Sequence, residues 1–132
     1  MNIKVINHML KSLYKKMIRK LNLTHDQLTA LKDRLNTQNI CSGHFVSGDK
    51  MCPNTTALAI KLGVKKLSNR EVRGLLNEHG VSNSELWTFY FLFDLPAKFS
   101  KNFAEWAMSI FREAIAEIIK EESFHGFAIS KS

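Results

Sequence analysis

Apolar residues recur along the chain at steps of three and four, which is the period of an α-helix. The first 23 residues carry one such stripe, formed by Ile3, Ile6, Leu10, Leu13, Met17 and Leu21. A second clear stripe follows Ser100 and consists of Phe103, Ala107, Ile110, Phe111, Ala114, Ile115 and Ile118. Alternating patterns typical of strands are nearly absent. The sequence therefore predicts an all-α fold, a single compact domain of about six helices spanning residues 1–132.

Helix boundaries are marked by short local motifs. Three capping boxes predict where helices begin, and they are Thr24–Gln27, Ser68–Glu71 and Ser82–Glu85. Pro53 suits the first turn of a helix that stops at Gly63. Polar residues and glycines interrupt the helical pattern over residues 36–53. We expect a long loop there, with at most a short extended piece at 44–47.

Residues 86–95 are apolar at eight of ten positions, because only Thr88 and Asp94 interrupt the run. A helix that is apolar on all sides is expected at the centre of a fold or in an oligomer interface. We therefore predict an apolar central helix that is the least exposed element of the chain and ends at Pro96. In an interface, this aromatic part of the chain would join a homodimer or bind a protein partner.

Charge divides the chain into two unlike halves. Residues 1–73 hold 14 Lys and Arg against 4 Asp and Glu, whereas residues 74–132 hold 5 against 8. A basic half joined to an acidic, aromatic half suggests one region that faces a polyanion and one that packs. No apolar run approaches the roughly 18–20 residues of a membrane span. Two cysteines are too few for a disulfide scaffold, so we expect a reducing, cytoplasmic setting.

The segment 58–79 meets the steric demands of a helix-turn-helix. Ala59 is small where the two helices would cross, and Gly63 permits the left-handed turn between them. The apolar Val72, however, comes three positions later than the tight motif requires, so an ordinary corner between two helices is the alternative. As a nucleic-acid contact, the segment would use Lys61, Lys65, Lys66, Asn69, Arg70 and Arg73.

The N-terminal helix carries a basic face on which Lys11, Lys15 and Arg19 recur at helical spacing. Three interpretations are open: a packed helix with a solvated lysine face, an arm that follows a nucleic-acid strand, and a helix on a membrane surface. The second interpretation adds Lys11, Lys15 and Arg19 to the predicted nucleic-acid contacts.

Cys41, His44 and Cys52 fall within one predicted loop. They suggest part of a zinc site, but the second close pair of ligands typical of zinc modules is missing. A disulfide and a pair of reduced thiols are the alternatives. We predict no metal site, no cofactor and no catalytic residues, and hence no enzymatic activity.

Two functions fit these observations. The first is a small basic nucleic-acid-binding regulatory protein that uses the segment 58–79 and the N-terminal helix. The alternative is a helical adaptor or inhibitor without a nucleic-acid role, whose lysine-rich face meets an acidic protein partner.

Overall fold

A computed structural model describes the backbone of residues 2–130 and the side chains of residues 2–122. Its first helices are α1 (Ile3–Leu21), α2 (His25–Arg34), α3 (Pro53–Leu62) and α4 (Asn69–Glu78). They are followed by α5 (Asn83–Phe89), a π-helical turn (Tyr90–Asp94), α6 (Leu95–Phe99) and α7 (Lys101–Ser130). Because α5, the π-helical turn and α6 form one continuous helix, residues 2–130 contain six helices. The prediction of an all-α fold is confirmed.

Most of the helices begin and end where the local motifs predict. Both reciprocal hydrogen bonds of the capping box are present at Thr24 and at Ser82. At Ser68 the backbone N–H donates to the Glu71 carboxylate at 2.9 Å. Gly63 ends α3 in the left-handed conformation, with φ of 69°, which a residue without a Cβ adopts at little cost.

The predicted loop over residues 36–53 is organised around a small antiparallel sheet. Strand β1 (Val46–Ser47) pairs with β2 (Lys50–Met51), and Ile40 forms a parallel bridge to Met51. The side chains of Ile40, Val46 and Met51 are buried in the core. These apolar anchors hold the loop against the helices.

Aromatic side chains from both halves of the chain meet at the centre of the fold. Tyr14 of α1 is fully buried, and its hydroxyl donates to the Pro53 carbonyl at 3.2 Å. The Tyr14 ring lies 4.5 Å from that of Phe111, which also contacts Phe89 and Phe93. The basic and aromatic halves of the sequence therefore share one hydrophobic core.

The prediction that residues 86–95 form the least exposed element is wrong. Phe89 and Phe93 are buried, but Trp87 and Phe91 are 52% and 58% exposed. The most buried stretch is residues 53–59 of α3, where every residue is buried. The α5–α6 helix lies across the surface of the core, so only one of its apolar faces is covered.

Pro96 does not end this helix, contrary to prediction. The turn before it is widened, and the Leu95 N–H donates to the Tyr90 carbonyl five residues back. A proline inside a regular α-helix leaves a carbonyl without its N–H and presses its ring against the preceding turn. The π-helical turn gives Pro96 room, and the helix continues to Phe99.

Candidate functional site

The basic face of α1 packs against the acidic face of α7. Lys11 and Lys15 both contact the carboxylate of Glu117, at 2.8 and 3.0 Å, and Arg19 pairs with Glu121. Further bonds join Lys11 to Glu113 and Lys15 to Glu121. Hydrogen bonds from the two lysines hold the pKa of Glu117 below its ordinary value. Three of the predicted nucleic-acid contacts are thus paired with carboxylates of the same molecule.

The remaining predicted contacts lie on the last turn of α3, on the connection between α3 and α4, and on α4 itself. Lys61 donates to the Asn22 carbonyl at 3.3 Å. Lys65, Lys66 and Arg70 are exposed, and no ion pair links them to another described side chain. The connection spans residues 63–68, as the late position of Val72 in the sequence suggests. We call Lys65, Lys66, Arg70 and Arg73 the α4 basic surface.

Asn69 is held by the small sheet. Its side-chain oxygen accepts the Val46 N–H at 2.8 Å, and its amide nitrogen donates to the Val46 carbonyl at 2.9 Å. Both ends of the amide that would pair with a base are therefore bonded to β1. In this structure Asn69 positions the loop beside α4.

Arg73 joins the basic surface to a group of exposed and half-buried aromatic rings. Its guanidinium carbon lies 5.9 Å from the ring centroids of both Phe45 and Trp87, within cation–π distance. Trp87 stacks on Phe91 with their ring centroids 6.0 Å apart, and Tyr90 makes an edge-to-face contact with each of these rings. We call Trp87, Tyr90 and Phe91 the aromatic surface.

A cleft of about 580 Å³ opens beside the aromatic surface. It is lined by Gly43, His44, Phe45, Asn69, Arg73, Leu86, Trp87, Tyr90 and Asp94. Asp94 is 9% exposed, and its carboxyl accepts one long hydrogen bond, 3.4 Å, from the Gly43 N–H. Burial raises the pKa of Asp94 to about 7. A buried acid among aromatic rings in a cleft is typical of a binding site.

The sequence pattern does not identify the aromatic surface and Asp94 as parts of a cleft, because it predicts that residues 86–95 lie at the centre of the fold or in an oligomer interface. A signal for Asp94 was present, since it is the one acidic residue in that apolar run. A carboxyl is costly to bury without a partner, so its presence there points to a role beyond packing.

The two cysteines are free thiols with structural contacts. Cys41 Sγ lies 3.4 Å from the His44 carbonyl oxygen, and Cys52 caps α3 by accepting the Thr55 N–H at 3.4 Å. Burial raises the pKa of Cys41 to about 11 and that of Cys52 to about 12, so both stay protonated at neutral pH. Among the described side chains, no three His, Cys, Asp or Glu residues are grouped so that they could hold a metal ion.

No protein-family model, curated protein or solved structure matches this chain. None of the helices in the described part of the chain combines the length and apolar composition needed to cross a membrane. Three features of the described residues bear on function: the α4 basic surface, the aromatic surface and the cleft.

Proposed function

We propose that this protein is a small regulatory protein that binds single-stranded nucleic acid. The α4 basic surface would contact phosphates, and the aromatic surface would stack on bases. The observation that carries the proposal is the continuity of the two surfaces at Arg73, which lies over Trp87 while Arg70 stands one turn before it. Proteins that bind single strands combine a positive track for the backbone with aromatic rings for the bases.

Three details favour a single strand over a duplex. The amide of Asn69 is bonded to Val46, and the guanidinium of Arg73 lies against aromatic rings, so Arg70 alone is left to read a base edge in a groove. Exposed rings such as Trp87 and Phe91 fit poorly in the polar, wet groove of a duplex. An unpaired strand offers them the faces of its bases.

The N-terminal helix has no part in the proposed interface. A phosphate at Lys11, Lys15 or Arg19 would have to displace a carboxylate of α7 that is already in contact. The proposal includes no catalytic step. We propose a reducing, cytoplasmic setting, with which two free thiols are compatible.

The first test compares a labelled oligothymidylate of about 15 nucleotides with a duplex of equal length, by fluorescence anisotropy at several salt concentrations. We expect the single strand to bind at least about tenfold more tightly, with affinity falling steeply as salt rises. In a plot of the logarithm of the binding constant against the logarithm of the salt concentration, the variant Lys66→Ala/Arg70→Ala should have a shallower slope. The slope should fall in magnitude by about 0.7 for each phosphate that the protein no longer neutralises. Trp87→Ala should weaken binding without changing the salt dependence, because stacking releases no counterions.

A matched control is Lys4→Ala/Lys120→Ala, which removes the same charge from exposed positions outside the α4 basic surface. This variant should bind as the wild type does. Equal affinity for duplex and single strand, or equal losses in the control and in Lys66→Ala/Arg70→Ala, would contradict the proposal.

A second candidate is a protein adaptor, and the exposure of Trp87 and Phe91 next to Arg73 favours it. Tryptophan and arginine dominate the energetics of many protein interfaces. The partner could be a second copy of this chain or an acidic protein that meets the α4 basic surface. Absence of strand binding at low salt, together with dimerisation that Trp87→Ala abolishes in sedimentation experiments, would favour this alternative.

A further inference from the structure

Besides aromatic rings on which bases could stack, the cleft contains a buried carboxyl group and an arginine. Phe45, Trp87 and Tyr90 supply flat apolar walls, and Arg73 places a positive charge beside two of them. Asp94 is nine-tenths buried, lines the same cleft and has no ion-pair partner among the described side chains. The volume of about 580 Å³ is within the range of small-molecule sites. A ligand must therefore satisfy aromatic walls, a carboxylate and an arginine together.

These groups define the chemistry of the ligand. Above its pKa of about 7 the Asp94 carboxyl is largely ionised and only accepts hydrogen bonds, so under these conditions the edge facing Asp94 must carry N–H donors. The walls favour a planar ring. The guanidinium of Arg73 opposes a cationic ligand and favours one that carries phosphate. The ligand is thus a planar N–H donor attached to a phosphate.

Guanine is the base whose edge matches a carboxylate. Its Watson–Crick edge presents two adjacent donors, N1–H and the 2-amino group, which can bond the two oxygens of one carboxylate. Adenine and cytosine place a ring acceptor beside their amino group, and uracil and thymine place carbonyls on both sides of one N–H. Each of these would set a lone pair against the Asp94 oxygens.

We propose that the cleft binds one unstacked guanine, with N1–H and the 2-amino group donating to Asp94. The ring packs against Trp87 and Tyr90, and the adjoining phosphate meets Arg73. This inference rests on the proposed function, since the guanine belongs to a bound strand. Reading a splayed base by its Watson–Crick edge between aromatic side chains is how single strands are commonly recognised.

The test uses oligothymidylates of about 15 nucleotides in which one central base is guanine, hypoxanthine or adenine. Binding is measured by anisotropy at about pH 8, where Asp94 is largely ionised. We expect the wild type to bind the guanine-containing strand at least about tenfold more tightly than the adenine-containing strand, because a pair of hydrogen bonds to one carboxylate discriminates strongly between bases. Hypoxanthine lacks the 2-amino group and should fall between the two.

Asp94→Asn should bring the ratio of guanine to adenine affinity close to one, whereas Asp33→Asn, at an exposed position on α2, should keep the wild-type ratio. Equal wild-type affinity for the three strands would overturn the guanine site and leave the proposed function standing. A preference that persists in Asp94→Asn would also overturn it. The comparison of the three strands with the wild-type protein does not depend on whether any variant folds.

Guanosine monophosphate, measured by isothermal titration, separates a strand from a free nucleotide. Weaker binding of the mononucleotide than of the guanine-containing strand supports the inference. Mononucleotide binding that Asp94→Asn removes, without binding of any strand, would overturn the proposed function and assign the cleft to a free guanine nucleotide.

Discussion

Asp94 shows how one residue can set the pH dependence of stability. Its carboxyl is buried, has no ion pair with a described residue and receives one long hydrogen bond from Gly43. Burial raises its pKa from 3.8 to about 7, so between these values the folded state holds a proton that the unfolded chain releases. Stability contributed by the protonated carboxyl is therefore complete below about pH 4 and is lost as pH rises toward 7.

We predict that Asp94→Asn removes this loss. At 1.36 kcal/mol per pKa unit, the wild type forfeits up to about 4 kcal/mol between pH 4 and pH 8 from this group, and the variant does not. Urea denaturation across this pH range should show the variant gaining stability over the wild type as pH rises. Carboxylates with a lowered pKa, such as Glu117, make the folded state more stable as pH rises, but they do so equally in the wild type and in Asp94→Asn. The substitution Asp33→Asn, at an exposed position, should leave the pH dependence of the unfolding free energy unchanged. If the unfolding free energies of Asp94→Asn and the wild type differ by the same amount at every pH, the prediction is contradicted.

At the scale of helices, the α1–α7 contact shows how paired charges join distant segments. Lys11 and Lys15 are mostly buried along their stems, and both donate to Glu117, which is itself about one-third exposed. Partly exposed ion pairs are screened by solvent and contribute little one by one, but a shared carboxylate couples two of them. The contact fixes which face of α1 meets α7.

Glu117→Gln should destabilise the protein by about 0.5–1 kcal/mol at low salt, since it weakens two ion pairs exposed to screening. The loss should shrink in about 1 M salt, where the Debye length is near 3 Å. Guanidinium would itself screen the pairs, so the measurement is urea denaturation at both salt concentrations. Glu105→Gln changes an exposed carboxylate on α7 without an ion pair to a described residue and serves as the control. Equal effects of the two substitutions would show that the α1–α7 pairs add nothing.

The α5–α6 helix has two apolar faces with different surroundings. Phe89 is buried and contacts Phe93 and Phe111, whereas Phe91 is more than half exposed and touches Trp87 and Tyr90. The inner face stabilises the fold, and the outer face is available to a ligand or partner. Hydrophobicity alone does not separate these roles.

Phe89→Ala should cost about 3–5 kcal/mol of unfolding free energy, the range for removing a buried ring. Phe91→Ala should cost less than about 1 kcal/mol, because its site creates no internal cavity. The two variants are compared by urea denaturation, and binding of the oligothymidylate is measured alongside. Similar losses of stability in the two variants would place the Phe91 ring in the core and remove it from the aromatic surface.

At the scale of the whole molecule, folding redistributes the charge seen in the sequence. The excess of positive charge over residues 1–73 is partly neutralised by α7 and by the pair between Lys20 and Glu85. On α4 the exposed positive charge lies next to aromatic rings at Arg73, and a second such contact joins Lys98 to Phe99 at the end of α6. For this reason the proposed interface is smaller than the basic half of the sequence and lies at its boundary with the aromatic half.

The sequence by itself determined the helices and most of their ends, with the end predicted at Pro96 as the exception. Capping boxes at Thr24 and Ser82, the glycine at position 63 and the apolar period of α1 act between residues a few positions apart, so they can be found without a fold. The all-α class follows from them.

Only the tertiary structure decided which groups face solvent and which meet each other. Trp87 and Phe89 belong to one apolar run, and a helix that is apolar on every side carries no sign of which face the core will cover. Lys11 and Glu117 lie 106 positions apart, and the cleft assembles Phe45, Arg73 and Asp94 from three separate segments. Such contacts depend on how the helices pack, because burial and long-range pairing arise only when distant segments come together.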